Sequence, residues 1–126
     1  MLLSEYVSEI VEILDTYAKA NLIADSDVYT DFRTEKIGLV KGGITFINNS
    51  KLFFSEYLDV RYKIEKFSYS YHYQDKDGHL LFRYDNAKHK PDLGFEAHKH
   101  LMTGPTIEFA SPDLKGILEE IMDYLL

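Results

Sequence analysis

From Phe67 to Tyr73 every second residue is aromatic (Phe67, Tyr69, Tyr71, Tyr73), and the residues between are polar (Ser68, Ser70, His72). That period of two predicts a half-buried β-strand. Asp75-Lys76-Asp77-Gly78 follows with turn chemistry, the Asp-Gly step favouring positive φ. A loop there pairs Gln74 with His79. The ladder then runs Tyr73/Leu80, His72/Leu81, Tyr71/Phe82, Ser70/Arg83, Tyr69/Tyr84 and Ser68/Asp85. One face of this hairpin collects Tyr69, Tyr71, Tyr73, Leu80, Phe82 and Tyr84; the other collects Ser68, Ser70, His72, Arg83 and Asp85. A one-residue slip would mix the two faces.

The same reasoning places the other elements. Residues 4–20 carry Tyr6, Ile10, Ile13, Leu14 and Tyr17 at helical spacing, with Ser4 as the expected cap and Glu5, Glu9 and Glu12 outside. Ala24–Asp27 reads as a turn and Val28–Arg33 as a short strand. Lys36–Ile47 reads as a strand in which Gly42-Gly43 marks a bulge or a close backbone approach. Asn48-Asn49-Ser50 turns the chain, and Lys51–Val60 returns. That loop pairs Phe46 with Leu52, Ile44 with Phe54 and Val40 with Leu58, and sets Glu56 opposite Gly42. Asn86–Leu93 is a loop, since Pro91 interrupts regular structure. His98-Lys99-His100 starts a short strand, Thr103-Gly104-Pro105 turns, and Thr106–Phe109 forms a last strand. Ser111-Pro112-Asp113 starts a second helix, with Leu114, Ile117, Leu118, Ile121, Tyr124 and Leu125 as its stripe. The expectation is one α+β domain over residues 1–126: an antiparallel, curved β-meander of four to six strands, flanked by an N-terminal and a C-terminal helix packed on one face.

Composition narrows the class. The 126 residues suffice for one domain with its own core. With no cysteine there is no disulfide framework and no thiolate metal site, which fits a cytoplasmic setting. No run approaches a membrane span, and the two glutamates in Met1–Ile10 are unlike a signal peptide. A net charge of −7 argues against nucleic-acid binding through bulk charge. The charge is uneven, however. Residues 1–35 hold eight acids and two bases, whereas residues 61–101 hold eight bases and six acids.

All five histidines lie in that locally basic half: His72, His79, His89, His98 and His100. His72, Arg83 and Asp85 share the polar face of the hairpin with Ser70. A histidine transfers protons near neutral pH, a carboxylate orients it, and an arginine clamps phosphate. His89, His98, Lys99 and His100 follow on the adjoining segment. Two histidines with cationic neighbours suffice for metal-free RNA cleavage. The candidate catalytic set is therefore His72, Arg83, Asp85, His89, His98 and His100. Glu56, Ser70, Tyr71, Asn86, Lys88 and Lys99 are candidate binding residues, and exposed tyrosines would stack on bases. The plain alternative makes Arg83–Asp85 a structural ion pair, His72 a strand filler and Glu56 the partner of a lysine or arginine. A metal held by His98 and His100 with His89 or Glu56 is a third arrangement, though no helical histidine pattern supports one, and the expectation is no metal and no cofactor. The Asp25/Asp27 pair lacks the glycine and distal glutamate of a calcium loop.

The run Tyr69-Ser70-Tyr71-His72, Gln74, Gly78, Leu80, Phe82-Arg83-Tyr84-Asp85-Asn86-Ala87, His89, Pro91, Phe95 and His98-Lys99-His100 resembles the TumE family of small prokaryotic proteins. The likeness continues through Phe46, Ser50, Leu52, Glu56 and the C-terminal helix. Where this chain has His89-Lys90-Pro91 and Phe95-Glu96-Ala97-His98, members of that family often carry two further histidines. The resemblance implies the toxin of a toxin–antitoxin pair, cytoplasmic and with an antitoxin partner. Two functions stay open: a metal-independent ribonuclease, or a non-catalytic protein- or nucleic-acid-binding module of such a pair. RNA as a ligand and self-association into a homo-oligomer are compatible with either.

Overall fold

A computed structural model describes residues 1–86 and 112–126 in full, and residues 98–101 and 106–108 in their backbone. The elements follow the expected order. Helix α1 (Leu3–Lys19) leads into strands β1 (Ile23–Phe32), β2 (Ile37–Phe46), β3 (Lys51–Asp59), β4 (Glu65–Gln74) and β5 (Leu80–Asp85). Two short strands, β6 (His98–Leu101) and β7 (Thr106–Glu108), extend the ladder, and helix α2 (Leu114–Leu125) closes the chain. Each strand pairs antiparallel with the next, so the sheet is a meander in sequence order. The α+β class expected from the hydrophobic pattern is the class observed.

Both helices cover one face of the sheet. Leu3, Tyr6, Ile10 and Leu14 of α1, and Leu114, Ile117, Leu118 and Ile121 of α2, are buried with the inward residues of the strands. Those inward residues alternate as a pleated strand requires: Val40, Ile44 and Phe46; Leu52, Phe54 and Leu58; Tyr69, Tyr71 and Tyr73; Phe82 and Tyr84. Tyr124 of α2 lies against the rings of Tyr73 and Phe82 at 5.3 and 6.0 Å.

Three local expectations are corrected, and a fourth resolves to one of its two alternatives. Helix α1 is capped not by Ser4 but from Leu2, whose N–H donates to the Glu5 carboxylate at 2.9 Å. Helix α2 is capped by Asp113, whose Oδ1 accepts from Gly116 N at 2.8 Å, rather than starting at Pro112. Ala24–Asp27 is not a turn, because β1 runs through it and finds backbone partners along β2. Of the bulge or close approach expected at Gly42-Gly43, the close approach is the one observed, and β2 runs on without a bulge. A Cβ on Gly42 would fall 2.3 Å from the Asp27 carbonyl oxygen and 2.8 Å from the Phe54 ring.

Both hairpins are displaced by two residues from the expected pairing. In β2–β3 the loop is Ile47-Asn48-Asn49, one residue earlier than expected. Asn49 sits at φ 66° and Phe46 N donates to Ser50 O at 2.9 Å. Ile44 therefore pairs Leu52, Gly42 pairs Phe54, and Glu56 lies opposite Val40 rather than Gly42. In β4–β5 the loop is Lys76-Asp77-Gly78, with Gly78 at φ 86°. It contributes one residue of displacement and a bulge at Leu81 contributes the second. Tyr71 thus pairs Tyr84 rather than Phe82, Ser70 pairs Asp85 rather than Arg83, and His72 pairs Arg83. The even displacement leaves Ser70–Tyr73 and Phe82–Asp85 on their expected faces, whereas the bulge sets Leu80 opposite Gln74, on the His72 side, and Leu81 packs against the core instead.

A second bulge, at Phe67, changes a face. Tyr57 pairs Ser68 while Leu58 pairs Lys66, so Phe67 is extruded and exposed. Lys66 turns inward instead, its side chain only 10% exposed, and meets the fully buried Glu56 at 3.2 Å. Tyr6 donates to Glu56 Oε1 at 2.7 Å, and Tyr71 donates to Oε2. Lys66 donates in turn to the Tyr71 hydroxyl at 2.7 Å and to the carbonyl of Pro112. Burial first, and the adjacent Glu56 charge second, push the Tyr6 and Tyr71 hydroxyls well above the ordinary tyrosine pKa.

Two outcomes follow. Leu118 is fully buried, so Leu118→Ala is expected to cost about 2–5 kcal/mol in a denaturant melt; a loss below about 0.5 kcal/mol would mean α2 is peripheral. Tyr6 and Tyr71 keep their protons longer when folded than when unfolded. Their contribution is complete below about pH 10, the unfolded value, and is lost as pH rises toward the folded ones. Stability should fall above about pH 10, by roughly 1.4 kcal/mol per pH unit for each tyrosine. Tyr71→Phe should make that slope shallower, as read from unfolding curves across the alkaline range.

Candidate functional site

The sheet face opposite the helices carries the polar set. Strand alternation sends Ser70 and His72 of β4, and Arg83 and Asp85 of β5, to that side, where pairing makes His72 and Arg83 direct neighbours. Arg83 Nη1 lies 3.3 Å from His72 Nδ1. A guanidinium only donates, so Nδ1 is the acceptor and the ring proton sits on Nε2, which faces Gln74 Oε1 at 3.0 Å. Arg83 Nε donates to Asp85 Oδ2 at 2.9 Å. Asp85 therefore orients the arginine, not the histidine.

The register adds two further positions. His100 pairs Arg83 and His98 pairs Asp85 in the backbone ladder. One cross-strand row thus reads Phe53, His72, Arg83, His100, and its neighbour reads Ser55, Ser70, Asp85, His98. Lys99 pairs Tyr84 and lies outside both rows. His89 and Lys88 fall outside the described residues.

Three of the expected binding residues are elsewhere. Glu56 and Tyr71 are fully buried on the helix side, joined to each other and to Lys66. That is the structural role set out above for Glu56, and it removes Glu56 from any metal arrangement with the histidines. Asn86 holds the bulge of β4: its Oδ1 accepts from Tyr69 N at 3.0 Å and its Nδ2 donates to Phe67 O at 3.1 Å. Stacking on the hairpin tyrosines is also corrected, because Tyr69, Tyr71, Tyr73 and Tyr84 are core residues. The exposed aromatics beside the site are Phe53 and Tyr29, 46% and 56% exposed. The Phe53 ring lies 6.2 Å from that of His72, and Lys41 Nζ lies 5.0 Å from the centre of the Tyr29 ring.

Sequence reading missed Asp27, Tyr29, Lys41 and Phe53, which line a groove of about 440 Å³ with His72 and Arg83. The available signal was period-two alternation through Lys41, Gly43, Phe53 and Ser55, which sets them on the face of His72. Their proximity came from the register of three separate hairpins. The acidic cluster Asp75, Asp77 and His79 at the hairpin tip is explained by the turn: Asp75 Oδ1 accepts from the N–H groups of Asp77 and His79, each at 2.9 Å. Among the described residues, no helix is long and apolar enough to cross a membrane.

An antiparallel meander with helices on one face and a histidine–arginine row on the other defines the class of domain. The family model described as Toxin TumE matches residues 12–125, and the chain belongs to that family. No curated protein and no solved structure matches it. Membership makes the chain the toxin of a toxin–antitoxin pair and implies an antitoxin partner.

The tautomer is directly measurable. Histidine nitrogen shifts at neutral pH should report Nε2–H for His72 in the wild type. Arg83→Ala removes the donor to Nδ1 and should shift the ring toward a mixture of tautomers.

Proposed function

We propose that this toxin acts in the cytoplasm as a metal-independent ribonuclease, with the cross-strand row His72, Arg83, His100 as its centre. The observation that carries this reading is that arginine lies between two histidine positions on adjacent strands, His72 through a direct contact and His100 through the backbone register. Neighbouring strands lie about 4.8 Å apart, so two histidines two strands apart span roughly 10 Å, room for one phosphodiester between them. Arg83, held at Nε by Asp85, presents its Nη groups to the phosphate. Phosphate oxygens replace His72 as acceptor of the Nη1 proton, which frees Nδ1 to take a proton. One histidine removes the 2′-hydroxyl proton as O2′ attacks phosphorus. As the P–O5′ bond breaks, the second gives a proton to O5′, and the arginine offsets the charge of the phosphorane. The products are a 2′,3′-cyclic phosphate and a 5′-hydroxyl. His98 lies beside the centre through its pairing with Asp85, and His89 and Lys88 belong to the segment that joins β5 to it.

One observation favours the second reading, a binding module without catalysis. Both ring nitrogens of His72 already have partners within the protein. Such a ring is a fixed recognition element as readily as a proton carrier.

Induced expression of His72→Ala, Arg83→Ala and His100→Ala separately, with folding checked by melting temperature, separates the two. Catalysis predicts that each folded variant loses growth arrest, and that RNA cleaved by the wild type in excess chelator carries cyclic phosphate ends. Full arrest by all three folded variants would sink the site. Arrest lost on Arg83→Ala but kept on both histidine substitutions would favour the binding module.

A further inference from the structure

Resting on that RNA reading, we infer that the groove beside His72 is a subsite for one unpaired base of a single-stranded RNA, and that its preferred base is guanine. The argument starts from Gly43. Its backbone φ is not positive, and the nearest neighbours of a Cβ there would be Asp27 Oδ1 at 3.2 Å and the Phe53 ring at 3.6 and 3.7 Å. Neither chain conformation nor a backbone clash therefore demands glycine, in contrast to Gly42, where a Cβ would strike the Asp27 carbonyl. What glycine provides at 43 is room for the Asp27 carboxylate, which a Cβ would crowd at 3.2 Å, and a low floor to the groove beside Phe53.

The walls are matched to a base. Phe53 presents an exposed ring on one side, adjacent to His72. Tyr29, with Lys41 against its ring, forms the opposite wall. Aromatic faces of this kind hold unpaired bases and cannot reach bases inside a duplex. Asp27 sets the edge that is read. Its Oδ1 accepts from Gly43 N at 2.7 Å, which fixes the carboxylate beside the floor. Among the described residues no hydrogen bond to Asp27 Oδ2 is present. A fixed carboxylate selects paired N–H donors. Guanine is the standard base with two adjacent donors, N1–H and N2–H, on its Watson–Crick edge. Adenine and cytosine offer one amino group there, and uracil sets acceptors beside its single N–H. Arg83, at the far end of the groove, would then take the phosphate attached to that guanosine, which places the base next to the scissile bond of the proposed reaction.

The test uses the full chain and non-cleavable probes, so that binding is read apart from chemistry: a short fluorescent 2′-O-methyl oligouridylate, the same strand with one central guanosine, and the latter annealed to its complement. The wild type should bind the guanosine strand about tenfold more tightly than the uridine strand, the difference of one charge-assisted contact, and the duplex least. Asp27→Asn should erase the preference while retaining affinity for the uridine strand. Phe53→Ala should weaken both single strands by about fivefold or more, and Gly43→Val should do the same by filling the floor. Phe53 is exposed, so its variant keeps the assay interpretable if Gly43→Val fails to fold. Equal binding of the two strands by the wild type, or affinity unchanged in Phe53→Ala, overturns the subsite. If Arg83→Ala alone abolishes binding, the phosphate row stands and the base subsite falls. If the wild type binds no strand, the RNA reading itself falls. Loss of antitoxin capture in groove variants that bind RNA normally would assign the groove to protein and overturn the inference.

Discussion

The Glu56–Lys66 pair is the contact on which the arrangement of this domain depends. Two opposite charges lie inside the core, and two tyrosine hydroxyls satisfy the carboxylate. Desolvating such a pair offsets much of its Coulombic attraction, so net stability is a weak reason for it. What it supplies is position. Tyr6 brings α1, Glu56 brings β3, Lys66 and Tyr71 bring β4, and the Pro112 carbonyl brings the approach to α2. Removing any one member leaves a buried charge or hydroxyl without its partner, a cost that no slipped pairing of these elements escapes.

That internal network frees the other face of the sheet. Because the helices and the polar cluster lie on one side, the strands present Ser70, His72, Arg83 and Asp85 on the other with little structural duty beyond their own hydrogen bonds. A site built on paired strands is held more firmly than one on a loop. The spacing of His72 and Arg83 is set by a backbone ladder, and the direction of Arg83 by its bond to Asp85. Arg83 and Lys41 line the groove together with Asp27, so its charge is mixed despite the acidic balance of the whole chain.

Membership of the TumE family and the geometry of the row address different questions. The family makes the chain a toxin and implies an antitoxin partner. The chemistry rests on the row itself, where the arginine–histidine contact has two consequences in tension. It holds the guanidinium in place, as the proposed phosphate contact requires, and it occupies the nitrogen that a general base would need. Ligand binding resolves that tension only if phosphate draws the arginine away from His72.

The partition of residues between the two faces was legible in the sequence alone. Tyr69, Tyr71 and Tyr73 alternate with Ser70 and His72, and no even displacement of the ladder exchanges them. Helix stripes were legible for the same reason, since Leu114, Ile117, Leu118 and Ile121 repeat at the helical period whatever they pack against. Register was not, because it follows from which residue opens each loop. Asn49 and Gly78 adopt positive φ in three-residue turns, and a bulge at Leu81 has no compositional mark. The role of Glu56 was likewise undecided: a carboxylate in an apolar row predicts a partner without naming it. Only the bulge at Phe67, held by Asn86 just beyond the end of β5, turned Lys66 inward to meet it. Local periodicity is written residue by residue, whereas these contacts join segments far apart in the chain, so only their assembly into one sheet determines them.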